Sequence, residues 1–131
     1  DQKAILIVDD NPLNVMVATN YCHGLGFRVK VATNGQECLE VVEEQLKEEH
    51  FFRLILMDIQ MPVMDGFQAS TELKKIMREL GMKPVPICAL SANDSEQDIK
   101  QCFESGMDEH LSKPLTKAKL TDILRRFQLF E

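Results

Sequence analysis

The amino-acid order predicts an α/β fold: one parallel sheet with helices packed on both faces. Three observations carry that expectation. Five short strand-like runs alternate with five helix-like stretches. Three of the runs are apolar almost throughout, as strands covered on both faces must be. The connections are short, and a helix after every strand is the arrangement that returns the chain for parallel pairing.

The elements follow in order. Ala4–Val8 (AILIV) reads as a buried strand. Pro12 suits the first turn of a helix, whose inward stripe is Val17, Ala18, Tyr21, Cys22 and Leu25, closed by Gly24 and Gly26. Arg28–Ala32 (RVKVA) alternates like an edge or half-exposed strand. Asn34-Gly-Gln-Glu37 resembles a capping box, with Leu39, Val42 and Leu46 behind it. Leu54–Met57 (LILM) is a second apolar strand. A third helix is predicted from about Phe67 to Leu80, with Ala69, Leu73, Ile76, Met77 and Leu80 inward and Gly81 ending it. Pro86–Leu90 (PICAL) is the next strand. Ser95-Glu-Gln-Asp98 opens a fourth helix with Ile99, Cys102 and Phe103 inward. A brief strand at Glu109–Ser112 precedes a fifth helix, capped by Thr116 and striped by Leu120, Ile123, Leu124 and Phe127.

Composition sets limits on function. A chain of 131 residues is the size of one domain, and it can bury roughly two-thirds of its unfolded surface without disulfide or metal staples. With 44% hydrophobic and 27% charged residues it is an ordinary globular sequence rather than a disordered tail. Its net charge of −6 argues against a nucleic-acid binder and against direct contact with a membrane surface. Cys22, Cys38, Cys88 and Cys102 sit in apolar patterns without zinc spacing, and read as reduced core thiols of a cytoplasmic domain. The longest unbroken aliphatic run, Ala4–Val8, is far short of the ~20 residues of a membrane span. There is no signal-peptide pattern. The chain starts at Asp1 without Met, so it reads as one domain, 1–131, cut from a longer protein that can itself be membrane-anchored. The charge run from Glu43 to Glu49 is the solvated face of the second helix.

Ligands of such sheets bind beyond the carboxyl ends of the strands. Asp9 and Asp10 follow the first strand, Asp58 the third, Ser91 the fourth and Lys113, then Pro114, the fifth. Each alone has a plain explanation as a helix cap, a turn former or a surface lysine. Together they form a set of carboxylates, a hydroxyl and an ammonium converging on one edge. Clustered carboxylates repel unless a cation joins them. A hard divalent cation such as Mg²⁺ and the Lys113 ammonium would together stabilise a phosphoryl group, with a carboxylate as nucleophile.

At this point the residues resemble a known family: the receiver domain of two-component phosphorelay response regulators. The resemblance spans Ala4 to Phe127. It rests on Val8-Asp-Asp-Asn-Pro12, on Leu56-Met-Asp-Ile-Gln-Met-Pro-Val-Met-Asp-Gly66, on Leu90-Ser-Ala92 and on Leu111-Ser-Lys-Pro114. It implies a flavodoxin-like (βα)5 sheet in strand order 2-1-3-4-5. It makes Asp58 the phosphate acceptor and a metal ligand, with Asp10 binding Mg²⁺ directly and Asp9 through water. The Gln60 carbonyl completes the ligands, and Mn²⁺ is able to substitute. Lys113 pairs with Asp58 and then with the phosphoryl oxygens, Ser91 bonds the phosphoryl group, and the Lys113–Pro114 bond is cis. The position three before the lysine commonly holds a switching Tyr or Phe; here it is His110, whose contacts and pH response would differ. Gln60 and Asn93 flank the site.

The resemblance also implies partners. Asp10-Asn-Pro-Leu-Asn14 with Asp58-Ile-Gln-Met-Pro62 is similar to receivers fused to hybrid sensor histidine kinases. These exchange phosphate with a kinase phosphohistidine or a histidine-phosphotransfer protein. Leu13 and Met16, off the inward stripe of the first helix, with Pro114, would form the docking surface of a monomer. The domain promotes its own phosphotransfer and dephosphorylation but is not a turnover enzyme. Three rivals compete. An aspartyl phosphatase needs a carboxylate two residues after the nucleophile, and Gln60 stands there. A phosphorylation-independent interaction module of the same fold is discriminated by beryllofluoride binding. The third is a freestanding response regulator, single-domain or with a DNA-binding output; nothing basic or helix-turn-helix-like follows Leu129, so this chain alone is not expected to read DNA.

Overall fold

The computed structural model describes residues 3–47, 52–81, 83–92 and 95–130. Strands and helices alternate without exception: β1 (Ala4–Val8), α1 (Pro12–Gly24), β2 (Arg28–Ala32), α2 (Gly35–Lys47), β3 (Phe52–Asp58), α3 (Gly66–Glu79), β4 (Ile87–Ser91), α4 (Glu96–Glu104), β5 (Glu109–Ser112) and α5 (Lys117–Arg126). All pairings are parallel, in the order β2-β1-β3-β4-β5. The register aligns the strand ends: Val8 lies opposite Ala32 and Met57, Asp58 opposite Leu90, and Ser91 opposite Ser112. The residues that follow the strands are thereby gathered at one edge.

The period of two along each strand divides the core in two. Leu6, Val8, Ile55, Met57, Ile87 and Ala89 face one layer, against Cys38 and Val42 of α2, Leu73 and Met77 of α3, and Cys102 of α4. Ile5, Ile7, Leu54, Leu56, Cys88 and Leu90 face the other, against Ala18 and Cys22 of α1 and Leu120, Ile123 and Leu124 of α5. Both strand faces are covered, so β1, β3 and β4 are apolar runs. Edge strand β2 is mostly exposed: Arg28, Lys30 and Val31 face solvent, Val29 is half-buried and only Ala32 is buried, so the expected alternation breaks at Val31.

Two predicted inward residues point out. Leu80 is 61% exposed because α3 ends at Glu79, and Leu80 is the cap where the helical period stops. Phe103 is 48% exposed. In the short α4 only Cys102 is buried, since a nine-residue helix near the sheet edge presents a narrow stripe. The third strand is longer than predicted, because Phe52 is buried and Asp58 still pairs with Leu90. The second helix opens with Asn34 accepting the Glu37 N–H at 2.8 Å, while the Glu37 carboxylate takes the Thr33 hydroxyl at 2.9 Å rather than closing a capping box on Asn34. The Leu46 side chain, Glu48, Glu49 and Asn93 lie outside the described residues. The core also extends past the predicted stripe: after Gln128 (φ 57), Leu129 and Phe130 fold back onto it, with the Phe130 ring 5.9 Å from that of Phe27.

All four cysteines are free and buried. Loss of water pushes the Cys22, Cys38 and Cys88 thiols up to about 12 and Cys102 to about 11, so none is a thiolate nucleophile at neutral pH.

Candidate functional site

Asp9 follows β1, Asp58 and Ser91 end β3 and β4, and Lys113 follows β5. Asp9, Asp58 and Ser91 are buried and Asp10 is exposed. The carboxylates of Asp9, Asp10 and Asp58 each offer an oxygen, all within 4.8 Å of one another. Lys113 Nζ lies 3.2 Å from Asp58 Oδ1 and 4.0 Å from Asp9 Oδ2. The plain reading of Asp9 and Asp10 as helix caps is excluded locally. Asn11 is the cap of α1, its Oδ1 accepting the N–H groups of Leu13 and Asn14 at 2.9 and 3.3 Å. Asp9 Oδ1 accepts the Asn11 N–H at 2.9 Å, which ties the acid to the start of the helix.

The Asp58 carboxyl is held above its ordinary range. Burial raises it most, the Gln60 N–H bonded to Oδ1 at 3.2 Å lowers it, the neighbouring Asp9 charge raises it, and Lys113 lowers it. The charges present do not balance: three carboxylates, Asp58 among them, against one ammonium leave 3 − 1 = 2 negative charges at the site. A divalent cation matches that deficit, and an all-oxygen donor set suits Mg²⁺ rather than zinc or copper.

The remaining predicted residues fall into two groups. Ser91 Oγ and His110 Nε2 are 2.8 Å apart, joining β4 to the half-buried β5. His110 is therefore coupled to the hydroxyl at the site and is more than a solvated strand residue. The Lys113–Pro114 bond is cis, and the Lys113 N–H donates to the Ser91 carbonyl at 2.7 Å. Leu13 (61%) and Met16 (54%) are exposed on α1, and Pro114 is exposed beside Lys113.

Beneath Asp58 runs the loop from Gln60 to Asp65. It turns at Val63, a β-branched residue with φ 68, a backbone region that such residues avoid at a cost of about 1–3 kcal/mol. Asp65 caps α3 through the Gln68 N–H. Gly66 packs directly on the end of β3. A β-carbon there would overlap the Asp58 carbonyl and lie 2.7 Å from the Ile59 Cα, both backbone atoms that cannot turn aside. Gly66→Ala is accordingly expected to lower stability by about 1–3 kcal/mol, the ordinary cost of overpacking. Urea melts and divalent-ion titration check it: the midpoint falls and ion affinity weakens with it. Unchanged values would mean that the strand does not need this close approach. Gly66 closes the motif that follows the third strand, but nothing in the local sequence signals this contact. Sequence reading missed Asn11 as the cap, although Asn before Pro is a visible start signal.

A family model, that of the response regulator receiver domain, matches residues 5–125. The chain belongs to this family. The receiver is 40% identical over 121 residues to the peroxide stress-activated histidine kinase mak1 of Schizosaccharomyces pombe, a match spanning 92% of this chain and 7% of the kinase. It superposes with a TM-score of 0.81, at 34% identity, on the receiver domain of the sensor histidine kinase PA1611 from Pseudomonas aeruginosa, which has a magnesium ion in its active-site cleft; the match covers 97% of this chain and 98% of that one. It superposes with a TM-score of 0.85, at 28% identity, on a Saccharomyces cerevisiae complex of the histidine phosphotransfer protein Ypd1 with the receiver of the response regulator Ssk1, covering 96% and 88% of the chains. The flavodoxin-like order 2-1-3-4-5 expected from the motifs is thus the order observed.

Proposed function

We propose that this receiver accepts a phosphoryl group onto Asp58 from the phosphohistidine of a kinase or phosphotransfer protein, in a reaction dependent on a divalent cation. The observation that carries the reading is the buried Asp58 carboxylate facing Lys113 at 3.2 Å, with Asp9 and Asp10 alongside. Asp9, Asp10, Asp58 and the Gln60 carbonyl would hold Mg²⁺, with Mn²⁺ a substitute of the same hard-oxygen chemistry. A bound divalent cation adds positive charge beside the phosphoryl oxygens.

The chain's own residues do the rest. The ionised Asp58 attacks phosphorus in line: an O–P bond forms, the P–N bond to the donor imidazole breaks, and its electron pair stays on nitrogen. The Lys113 ammonium stabilises charge on the equatorial oxygens. Ser91 is within the site's reach through β4, and its exchange of the His110 partner for a phosphoryl oxygen is the switching step. That exchange carries the new charge of roughly −1.5 to −2 into a changed α4–β5 face.

The partner is a protein bearing phosphohistidine, docking on Leu13, Met16 and Pro114 of a monomeric receiver. An exposed Leu and Met one helical turn apart beside the site support this. Leu13→Glu is expected to slow phosphotransfer from a histidine donor at least several-fold while labelling by acetyl phosphate stays as it was. If stopped-flow transfer rates are the same for both proteins, the surface is not used. The kinase-borne relative supports a parent that is a hybrid sensor histidine kinase with residues 1–131 as its receiver, on the cytoplasmic side. No helix among the described residues is long and apolar enough to cross a membrane. The test of the whole reading is transfer of ³²P from a phosphohistidine protein, with Asp58→Asn as control.

A further inference from the structure

Lys119 stands in the first turn of α5, where its N–H bonds the Thr116 hydroxyl at 3.2 Å. Its side chain turns back toward the sheet edge. The ammonium donates to the Ser112 carbonyl at 2.9 Å and to the Pro114 carbonyl at 3.0 Å. Those two residues bracket Lys113. One cation thus holds both sides of the cis turn from which the Lys113 side chain departs. The turn is held from its other side by the Lys113 N–H on the Ser91 carbonyl.

The base of this arm is anchored in the core. Leu120, the next residue, is fully buried, as are Ile123 and Leu124. Contacts therefore run unbroken from the core through α5 and Lys119 to the Lys113 turn, and across 3.2 Å to Asp58. Lys113 itself has a flexible four-carbon stem, so where its charge sits depends on where its backbone is held. Lys117, two residues before, is by contrast exposed.

We propose that Lys119 is a positioning residue for phosphotransfer, fixing the Ser112–Pro114 turn so that the Lys113 ammonium meets Asp58 and the incoming phosphoryl group. The inference rests on the reading of Asp58 as phosphoacceptor. It concerns placement, so charge-assisted bonding to both carbonyls is what must be kept. Arg preserves that bonding and Met removes it.

The experiment compares labelling rates from acetyl phosphate in wild type, Lys119→Met and Lys119→Arg, with melting curves for each and Asp58→Asn as blank. The Met variant is expected to melt near wild type and to label about ten-fold slower, short of the ~100-fold that a 1 Å misplacement can cost. The Arg variant recovers most of the rate. In a Lys113→Ala background Lys119→Met adds little further loss, since groups acting in series are non-additive. A folded Lys119→Met protein that labels at the wild-type rate overturns the proposal. So does an Arg variant as slow as Met, or an undiminished loss in the Lys113→Ala background. Should Met unfold the chain, Lys119→Gln, neutral but still a donor, takes its place under the same criteria. Label retained by Asp58→Asn overturns the phosphoacceptor reading and this inference with it; wild-type labelling in Lys119→Met overturns the inference alone.

Discussion

Asp58→Asn is expected to abolish incorporation of phosphate from a phosphohistidine donor. The substitution keeps the shape and still offers an oxygen to Lys113 and to the Gln60 N–H, which bond Asp58 Oδ1 at 3.2 Å each. The fold and much of the site geometry should therefore survive. What would be lost is the proposed nucleophile, because an amide oxygen has no negative charge to give to phosphorus. The neighbouring carboxylates do not replace it. Asp9 is tied by the Asn11 N–H, and Asp10 opens to solvent. Intact-mass and radiolabel measurements check the result. Phosphate found by mass spectrometry at another residue in the variant would remove Asp58 from its role.

The same substitution tests the electrostatics with the opposite sign. Asp58 is raised by burial and by Asp9 beyond what Gln60 and Lys113 recover. A carboxyl whose folded pKa is above its unfolded one destabilises the fold once ionised. Its contribution is most favourable below the unfolded value of about 4 and declines as pH rises through the raised folded value. In chelator, Asp58→Asn should therefore melt higher than wild type at neutral pH, and the gap should close as pH falls toward that window.

Excess EDTA is expected to eliminate phosphorylation by both protein and small-molecule donors, the second large effect. Two uncompensated negative charges at the site would repel an incoming phosphoryl group. Added Mg²⁺ should also stabilise wild type thermally. Saturation at a hundred times Kd is worth about 2.7 kcal/mol by linkage. The shift should be much smaller in Asp58→Asn, which removes one carboxylate from the set. The gap between the two proteins seen in chelator should narrow or reverse when Mg²⁺ is present. Equal Mg²⁺ shifts in wild type and variant, measured by scanning calorimetry, would place the ion elsewhere. Undiminished labelling in EDTA would count against the metal role altogether.

Different parts of this receiver were legible to different degrees. AILIV, LILM and PICAL announce doubly covered strands because a side-chain period of two leaves both faces apolar. The convergence of Asp9, Asp10, Asp58, Ser91 and Lys113 was legible because these residues directly follow or end strands, and parallel register brings all such residues to one edge. Helix ends were less so. Leu80 fits the stripe of α3 numerically, but the helix stops one residue earlier. Phe103 fits the stripe of α4, but that helix buries only Cys102. Periodicity reports which residues share a face and not how wide a face the neighbouring element can cover.

By itself the sequence determined the layer order, the strand polarity and the identity of the charged groups at the sheet edge. All three follow from local pattern: apolar period, turn chemistry and the residue immediately after each strand. Tertiary structure alone decided the distances on which chemistry depends. It set Lys113 at 3.2 Å from Asp58, joined Ser91 to His110, packed Gly66 on the Asp58 backbone and turned Lys119 back onto the Ser112–Pro114 turn. These contacts join residues from different elements. Their geometry is set by how the elements pack on the shared core, and no local stretch of sequence carries that information.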